Sequence, residues 1–318
     1  MTGMDGKGKL ALGTMGMNFG NKEDSLRTIQ TAIDNGIHIF NTGDFYQRGE
    51  SQVVLGEALK KVPREENFVS LKFGVTFSLT GARLDVRPET IRPQLEAALD
   101  KMGLQYVDLY QPARQDIAIP VEDVMQELVK LKEEGLIKHI GLSEVDADTL
   151  RRAHRIHPVH SVEVEYSLLN REIEKELIPT AKELGVQVVV YGAVGHGVLT
   201  DKVMNGTVMN PMMAGKILSP LNKKNNLKIL SAFAETAKQQ GLTMSELALA
   251  WTQAKYDNIL SLIGTTKPEH FISSINAVET KLDEKTISEI EGMVSAEAMK
   301  GYRVRKWIFE NGVGKMVM

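Results

Sequence analysis

The chain has 318 residues, a formal net charge of -3 and 42% hydrophobic residues, enough apolar material for one large core. A near-neutral balance without any Lys/Arg block argues against a nucleic-acid partner. The absence of cysteine excludes disulfides, thiolate catalysis and Cys-ligated metals. The opening "MTGMDGKGKL" lacks an apolar signal core, and no run of about 18 apolar residues occurs, so the expectation is a soluble cytoplasmic protein without a membrane partner.

In chain order, a strand is expected in "ALGTMG" from Leu10. The helix "SLRTIQTAID" follows, with Leu26, Ile29, Ile33 and Ile37 at helical spacing, then Gly36 and a strand from His38. "NFVSLKFG" reads as a strand from Phe68. "PQLEAALDKM" with Gly103 precedes a strand from Tyr106, and "VEDVMQELVKLKEE" with Gly135 precedes one from Lys138. "ADTLRRAHRI" leads to a strand near Val162, "EIEKELIPTAKEL" with Gly185 to one at Val186, and "SELALAWTQAKY" to one at Leu260. Glycine just past a helix end is the left-handed cap residue. The runs that follow are short, β-branched and apolar on both faces, as buried parallel strands require. Eight such strands separated by helices predict an α/β fold, a (β/α)8 TIM barrel spanning 1–318 as one domain. A doubly wound sheet is the rival, but no G-x-G-x-x-G opens a helix after the first strand.

Two segments leave alternatives open. The run from Thr200 to Asn226, rich in Gly, Pro, Asn and Met, is either a functional excursion at the barrel top or a disordered surface loop; Met209, Met212 and Met213 in it could line a hydrophobic mouth. The tail from Met299, with Tyr302, Trp307 and Phe309, either folds over the barrel mouth or frays. "AHRIHPVH" spaces His154, His157 and His160 three apart. Pro158 breaks the helix and no Cys or acid cluster completes a site, so they read as surface polar residues and no metal is expected.

The chemistry should lie at the C-terminal ends of the strands. "FNTGDFY" follows the second strand and brings Asn41 to Tyr46 to that rim. Lys72 sits in "VSLKFG" between Leu71 and Phe73, so alternation turns it inward with Ser70. A lysine there is costly without a partner or a task; an edge position with a snorkelling stem is the alternative. An ammonium beside a phenol favours phenolate, so Tyr46 is expected to have a lowered pKa and to act as general acid.

The stretches "ALGTMGM", "FNTGDFYQRGESQVVLGEAL", "VSLKFG", "GLQYVDLYQPARQD", "LVKLKEEGLIKHIGLSEV", "VEYSLLNREIE", "LGVQVVVYGAVGHGVLT" and "LIGTTKPEH", in this order, resemble the aldo-keto reductase superfamily over nearly the whole chain. The resemblance implies a TIM barrel that binds NADP(H) and reduces a small carbonyl substrate, an aldehyde or ketone. It places the catalytic tyrosine on Tyr46 and the lysine on Lys72. The family's aspartate falls on Asn41 and its histidine on Ala113. Asn41 can accept a hydrogen bond from Lys72 but cannot neutralise it, so Lys72 is expected to lack a fixed anion; Asp44 is a substitute whose position suggests that it faces elsewhere. The same two departures resemble the pyridoxal-reductase branch, whose substrate carries its own hydroxyl beside the aldehyde.

For the cofactor, the resemblance assigns Gly13, Thr14 and Met15 to the nicotinamide ribose. Ser143 and Glu163 fall on the carboxamide site, where glutamate replaces the family's usual glutamine, and Tyr191 on the ring face, with a core tyrosine as its plainer reading. Gly195, Gly197 and Leu199 would offer backbone N–H groups to the pyrophosphate. Thr265, Thr266, Lys267 and His270, where a helix opens at Pro268, would meet the 2′-phosphate. A second reading is a low-turnover NADP(H)-binding regulatory or sensor protein on the same fold, motivated by the missing aspartate and histidine.

Overall fold

A computed structural model describes residues 8–78, 81–207, 216–302 and 306–317. Eight parallel strands close into a barrel: β1 (Leu10–Gly13), β2 (Ile39–Gly43), β3 (Phe68–Phe73), β6 (Val107–Pro112), β7 (Ile137–Ser143), β8 (Ser161–Glu165), β9 (Gln187–Tyr191) and β10 (Ile259–Gly264). Each strand start falls within one residue of the position expected from the sequence. Gly36, Gly103, Gly135 and Gly185 all take left-handed φ between 66° and 79°, the conformation that glycine adopts at least cost.

Alternation along the strands sorts the core into two parts. Outward residues such as Val69, Leu71 and Phe73 join the large cluster under the helices. Inward residues fill the barrel: Ala11, Ile39, Phe68, Leu109, Val189, Leu260 and Leu262 form an apolar plug. Above it, toward the strands' C-terminal ends, Asn41, Ser70, Lys72, Gln111 and Glu163 are buried and polar.

The strands are not separated by helices alone. Between β3 and the helix Pro88–Met102, β4 (Val75–Ser78) and β5 (Gly81–Leu84) pair antiparallel. The tail does not fray: β11 (Lys306–Glu310) and β12 (Val313–Val317) form a second hairpin, and β12 adds to β5 to complete a four-stranded sheet beside the barrel. Between Thr200 and Asn226 the chain makes a 3-10 turn at Asp201–Asn205 and enters the helix Lys223–Gln239; Met209, Met212 and Met213 lie outside the described residues.

The histidine run also differs from expectation. His154, His157 and His160 line one cavity at the N-terminal end of the barrel, because the chain turns at Pro158 and brings His160 back against the helix end that carries the other two. Among the described residues no group of three or more His, Asp or Glu could hold a metal, and no helix is long and apolar enough to cross a membrane.

Asp116 fastens the tail to the barrel. Its buried carboxylate accepts from the N–H groups of Asn311 (3.0 Å), Gly312 (2.6 Å) and Ala118 (3.0 Å), and Ile117 N–H donates to the Phe309 carbonyl. Removing one such acceptor strands buried donors. Asp116→Ala is expected to speed amide exchange across 306–317 selectively; uniform exchange rates in the variant would contradict this anchoring.

Candidate functional site

The polar layer at the top of the barrel is set by register. Lys72 on β3 lies opposite Gly43 on β2 and Gln111 on β6, and Asn41 lies opposite Ser70. On the far side Glu163 on β8 lies opposite Ser143 on β7. These inward side chains meet across the interior. Lys72 Nζ donates to Asn41 Oδ1 at 2.6 Å and to Glu163 Oε1 at 2.5 Å. Glu163 Oε2 accepts from Asn41 Nδ2 at 2.7 Å and Gln111 Nε2 at 2.8 Å.

Lys72 therefore does have a fixed anion, contrary to the sequence expectation. The anion comes from the opposite wall of the barrel, from Glu163 on β8. Asn41 and Glu163 together bring one amide and one carboxylate to the ammonium. Asp44 is not part of the cluster: its carboxyl takes backbone hydrogen bonds from Phe45 and Gly74 and senses Lys101.

Ionic pairing changes the titration of both central groups. Burial opposes charge on Lys72, but Glu163 and the nearby Tyr46 outweigh it and raise the lysine pKa. Tyr46 lies at the end of β2 with its ring centre 5.2 Å from Lys72 Nζ. Its pKa is raised, not lowered: burial dominates, the pull of Lys72 is partly cancelled by Glu163, and Arg114 adds a small downward pull. The chain leaves Tyr46 through Gln47 and Arg48 at φ 49° and 57° and Gly49 at 92°, three consecutive left-handed residues. Such strain in non-glycine residues persists only where surrounding packing imposes it.

Two residues absent from the sequence-based site belong to it by position. Gln111 is an inward polar residue in an otherwise apolar strand end, the same signal that singled out Lys72. Arg114, next to Ala113, bonds the Ala113 carbonyl (2.6 Å) and reaches Tyr191 Oη (3.4 Å). Ala113 itself is buried in the apolar core.

The remaining sequence-predicted residues divide by place. Tyr191 ends β9, half-buried against the barrel plug, with its hydroxyl donating to Glu144 Oε1 at 2.9 Å. Ser143 is fully buried at the end of β7 with no partner for its hydroxyl. Gly13 pairs in register with Asn41 and Gly264, Thr14 is buried with its hydroxyl on Thr42 (2.8 Å), and Met15 is 64% exposed. Gly195, Gly197 and Leu199 do not offer open donors as expected: their N–H groups bond the carbonyls of Gly192, Val194 and Val194, because the segment winds into a 3-10 turn. Thr265, Thr266, Lys267 and His270 sit apart from the polar layer, at the start of the helix Pro268–Glu279. There Lys267 N–H bonds Thr265 Oγ1 (3.1 Å), and Thr266 lies against Gly16.

The profile of the Aldo/keto reductase family matches residues 9–295. The chain is 35% identical over 290 residues to "Probable aldo-keto reductase 1" of Glycine max, covering 89% of this chain and 84% of that one. Among solved structures it superposes on a glycerol dehydrogenase of Gluconobacter oxydans with TM-score 0.80 at 25% identity, covering 90% of each chain. It shares its fold with an aldo-keto reductase of Klebsiella pneumoniae solved in complex with NADPH (TM-score 0.71, 19% identity, 90% of each chain).

Burial pushes the Asp44 carboxyl up to about 7, against the weaker pull of its backbone hydrogen bonds and Lys101, and its Oδ1 has no partner. The folded chain then holds a proton that the unfolded chain releases near pH 4, so Asp44 favours folding below pH 4 and that contribution is lost as pH rises to about 7. Asp44→Asn is expected to flatten stability across this window, by on the order of 4 kcal/mol at its upper end. Denaturant unfolding of both proteins from pH 4 to 8 checks this; parallel curves would contradict it.

Proposed function

This chain belongs to the aldo/keto reductase family, the NADP-dependent oxidoreductases of carbonyl groups, and we propose on that premise that Tyr46 and Lys72 carry its proton chemistry. NADPH, when bound, supplies the hydride. Tyr46 holds the proton for the carbonyl oxygen of an aldehyde or ketone. The phenolate left behind faces the Lys72 ammonium, and Glu163 keeps that ammonium charged. The observation that carries this reading is the convergence of Tyr46, Lys72 and Glu163 at one end of the barrel.

The residues present suit such a cofactor. Ser143 Oγ and Gln111 Oε1 are buried without partners, and a carboxamide has both the N–H and the C=O that such atoms lack. Tyr191, held by Glu144 and Arg114, would face the nicotinamide, and Gly13 to Met15 the ribose. The helix N-terminus at Pro268, with Thr265, Thr266, Lys267 and His270, suits the adenosine 2′-phosphate. Glu163, with Lys72, Asn41 and Gln111 already on its oxygens, acts as the lysine's counter-ion first.

Ala113 brings no imidazole to a carbonyl oxygen. We therefore read the substrate as a carbonyl compound with its own hydroxyl beside the aldehyde, of the pyridoxal type. The Lys72–Glu163 ion pair supports the enzymatic reading over the regulatory alternative, because it keeps a charged ammonium beside Tyr46.

Tyr46→Phe is expected to lower kcat by roughly 10²–10⁴-fold while leaving NADPH binding, followed by fluorescence titration, unchanged. Retained turnover would overturn the assignment. In NADPH-oxidation assays of the native chain, kcat/KM for pyridoxal is expected to exceed that for benzaldehyde at least tenfold, on the order of 1.4 kcal/mol of discrimination. Equal or better use of benzaldehyde would remove the pyridoxal-type reading without touching the role of Tyr46.

A further inference from the structure

At the N-terminal end of the barrel strands, opposite the Tyr46 site, lies a cavity of about 630 Å³. That volume is in the range of small-molecule sites, about 300–1,000 Å³. Its lining contains Lys132, Lys182, His139, His154, His157 and His160 and no Asp or Glu. Ile140, Val159, Leu184 and Val186 give it apolar walls. Of the six basic side chains, Lys132, His154 and Lys182 come from the last turns of three successive barrel helices, His157 from the cap of the second, His139 from β7 and His160 from just before β8.

Those three helix C-termini bring partial negative charge to the cavity, which the two lysines offset. Additional positive charge arises when the imidazoles take up protons, and no acidic side chain lines the cavity to balance it. The rings are packed for contact rather than for mutual separation: His139 and His160 stand 4.1 Å apart, centre to centre, each 6.0 Å from Phe68. His154 Nδ1 accepts from Val159 N–H (3.2 Å), which assigns its proton to Nε2. Lys132 Nζ bonds His157 Nε2 at 3.1 Å, and His157 Nδ1 bonds the Pro158 carbonyl at 2.9 Å. An ammonium has three N–H groups, so Lys132 retains donors beyond that bond.

We propose that this cavity is a binding site for a small organic phosphate, held by Lys132, Lys182 and the imidazole N–H groups, with its organic part against the apolar walls. A phosphate dianion can accept from several such donors at once, and the volume exceeds what a bare ion fills. The site is expected to strengthen as pH falls. Burial, then Lys132 and Lys138, depress the His139 pKa against the pull of Asp108, and burial, then His157, depress that of His154. Lys138 and Arg64 both pair with Asp108. A bound anion reverses this depression, so binding takes up protons.

The test uses the full chain saturated with NADP⁺, which occupies the phosphate-binding surface at the other end. Phenyl phosphate and sulfate, the latter a dianion throughout pH 6 to 8, are titrated while the imidazole C–H resonances are followed by NMR. The expected result is saturable shifts of His139, His154, His157 and His160, with sulfate binding at least tenfold tighter at pH 6 than at pH 8 and phenyl phosphate tighter than sulfate. In Lys132→Ala/Lys182→Ala, affinity is expected to fall at least tenfold with the carbonyl-reductase activity unchanged. If that variant does not fold, the pH dependence and the histidine shifts in the native chain decide alone. Absence of saturable shifts at pH 6, pH-independent sulfate affinity, or undiminished binding by the folded double variant would each overturn the proposal.

Discussion

One buried ion pair organises the top of this barrel. Lys72 and Glu163 approach to 2.5 Å from opposite walls, each about 4% exposed, with Asn41 bonded to both. A buried ion pair offsets its desolvation only when further hydrogen bonds satisfy the remaining donors and lone pairs. Here Asn41 and Gln111 do so, and the network is closed apart from Gln111 Oε1. The pair fixes the ammonium beneath Tyr46, and the position of the ammonium fixes what the phenol can do.

The carboxylate at this centre stands on β8 and an amide on β2, both bonded to the lysine. This is possible because the interior toward the strands' C-terminal ends is polar, above an apolar plug. A side chain from any strand at that height reaches the same centre, so the counter-ion can come from either wall. The consequence is electrostatic: burial holds the proton on Tyr46, and Glu163 partly cancels the opposing pull of Lys72.

Much of this was legible in the sequence. The left-handed glycines after the helices and the doubly apolar strands marked the barrel, because both signals are local and periodic. Lys72 between Leu71 and Phe73 marked the inward polar layer for the same reason. The partner of Lys72 was not legible: Glu163 is 91 residues away, and which inward side chains meet across a barrel depends on strand height and closure rather than on spacing. The two hairpins escaped because β5, β11 and β12 lack the doubly apolar runs of the barrel strands, and β12 pairs with a strand more than 200 residues earlier. The histidine run looked superficial because Pro158 ends the helix; the turn that follows returns His160 to the same cavity. At Gly195, Gly197 and Leu199 glycine freedom was read as room for a phosphate, while the structure uses it to wind a tight turn.

The most direct measurement of this ion pair is a double-mutant cycle on unfolding free energy at pH 7, comparing the native chain, Glu163→Gln, Asn41→Asp and the combined variant. Removing one partner of a buried pair costs about 3–5 kcal/mol, so Glu163→Gln should fall by that order, and the combined variant, with the carboxylate on β2, should recover most of the loss. If Glu163→Gln is as stable as the native chain, or if adding Asn41→Asp recovers nothing, Glu163 is not the counter-ion of Lys72 and the account of the site fails.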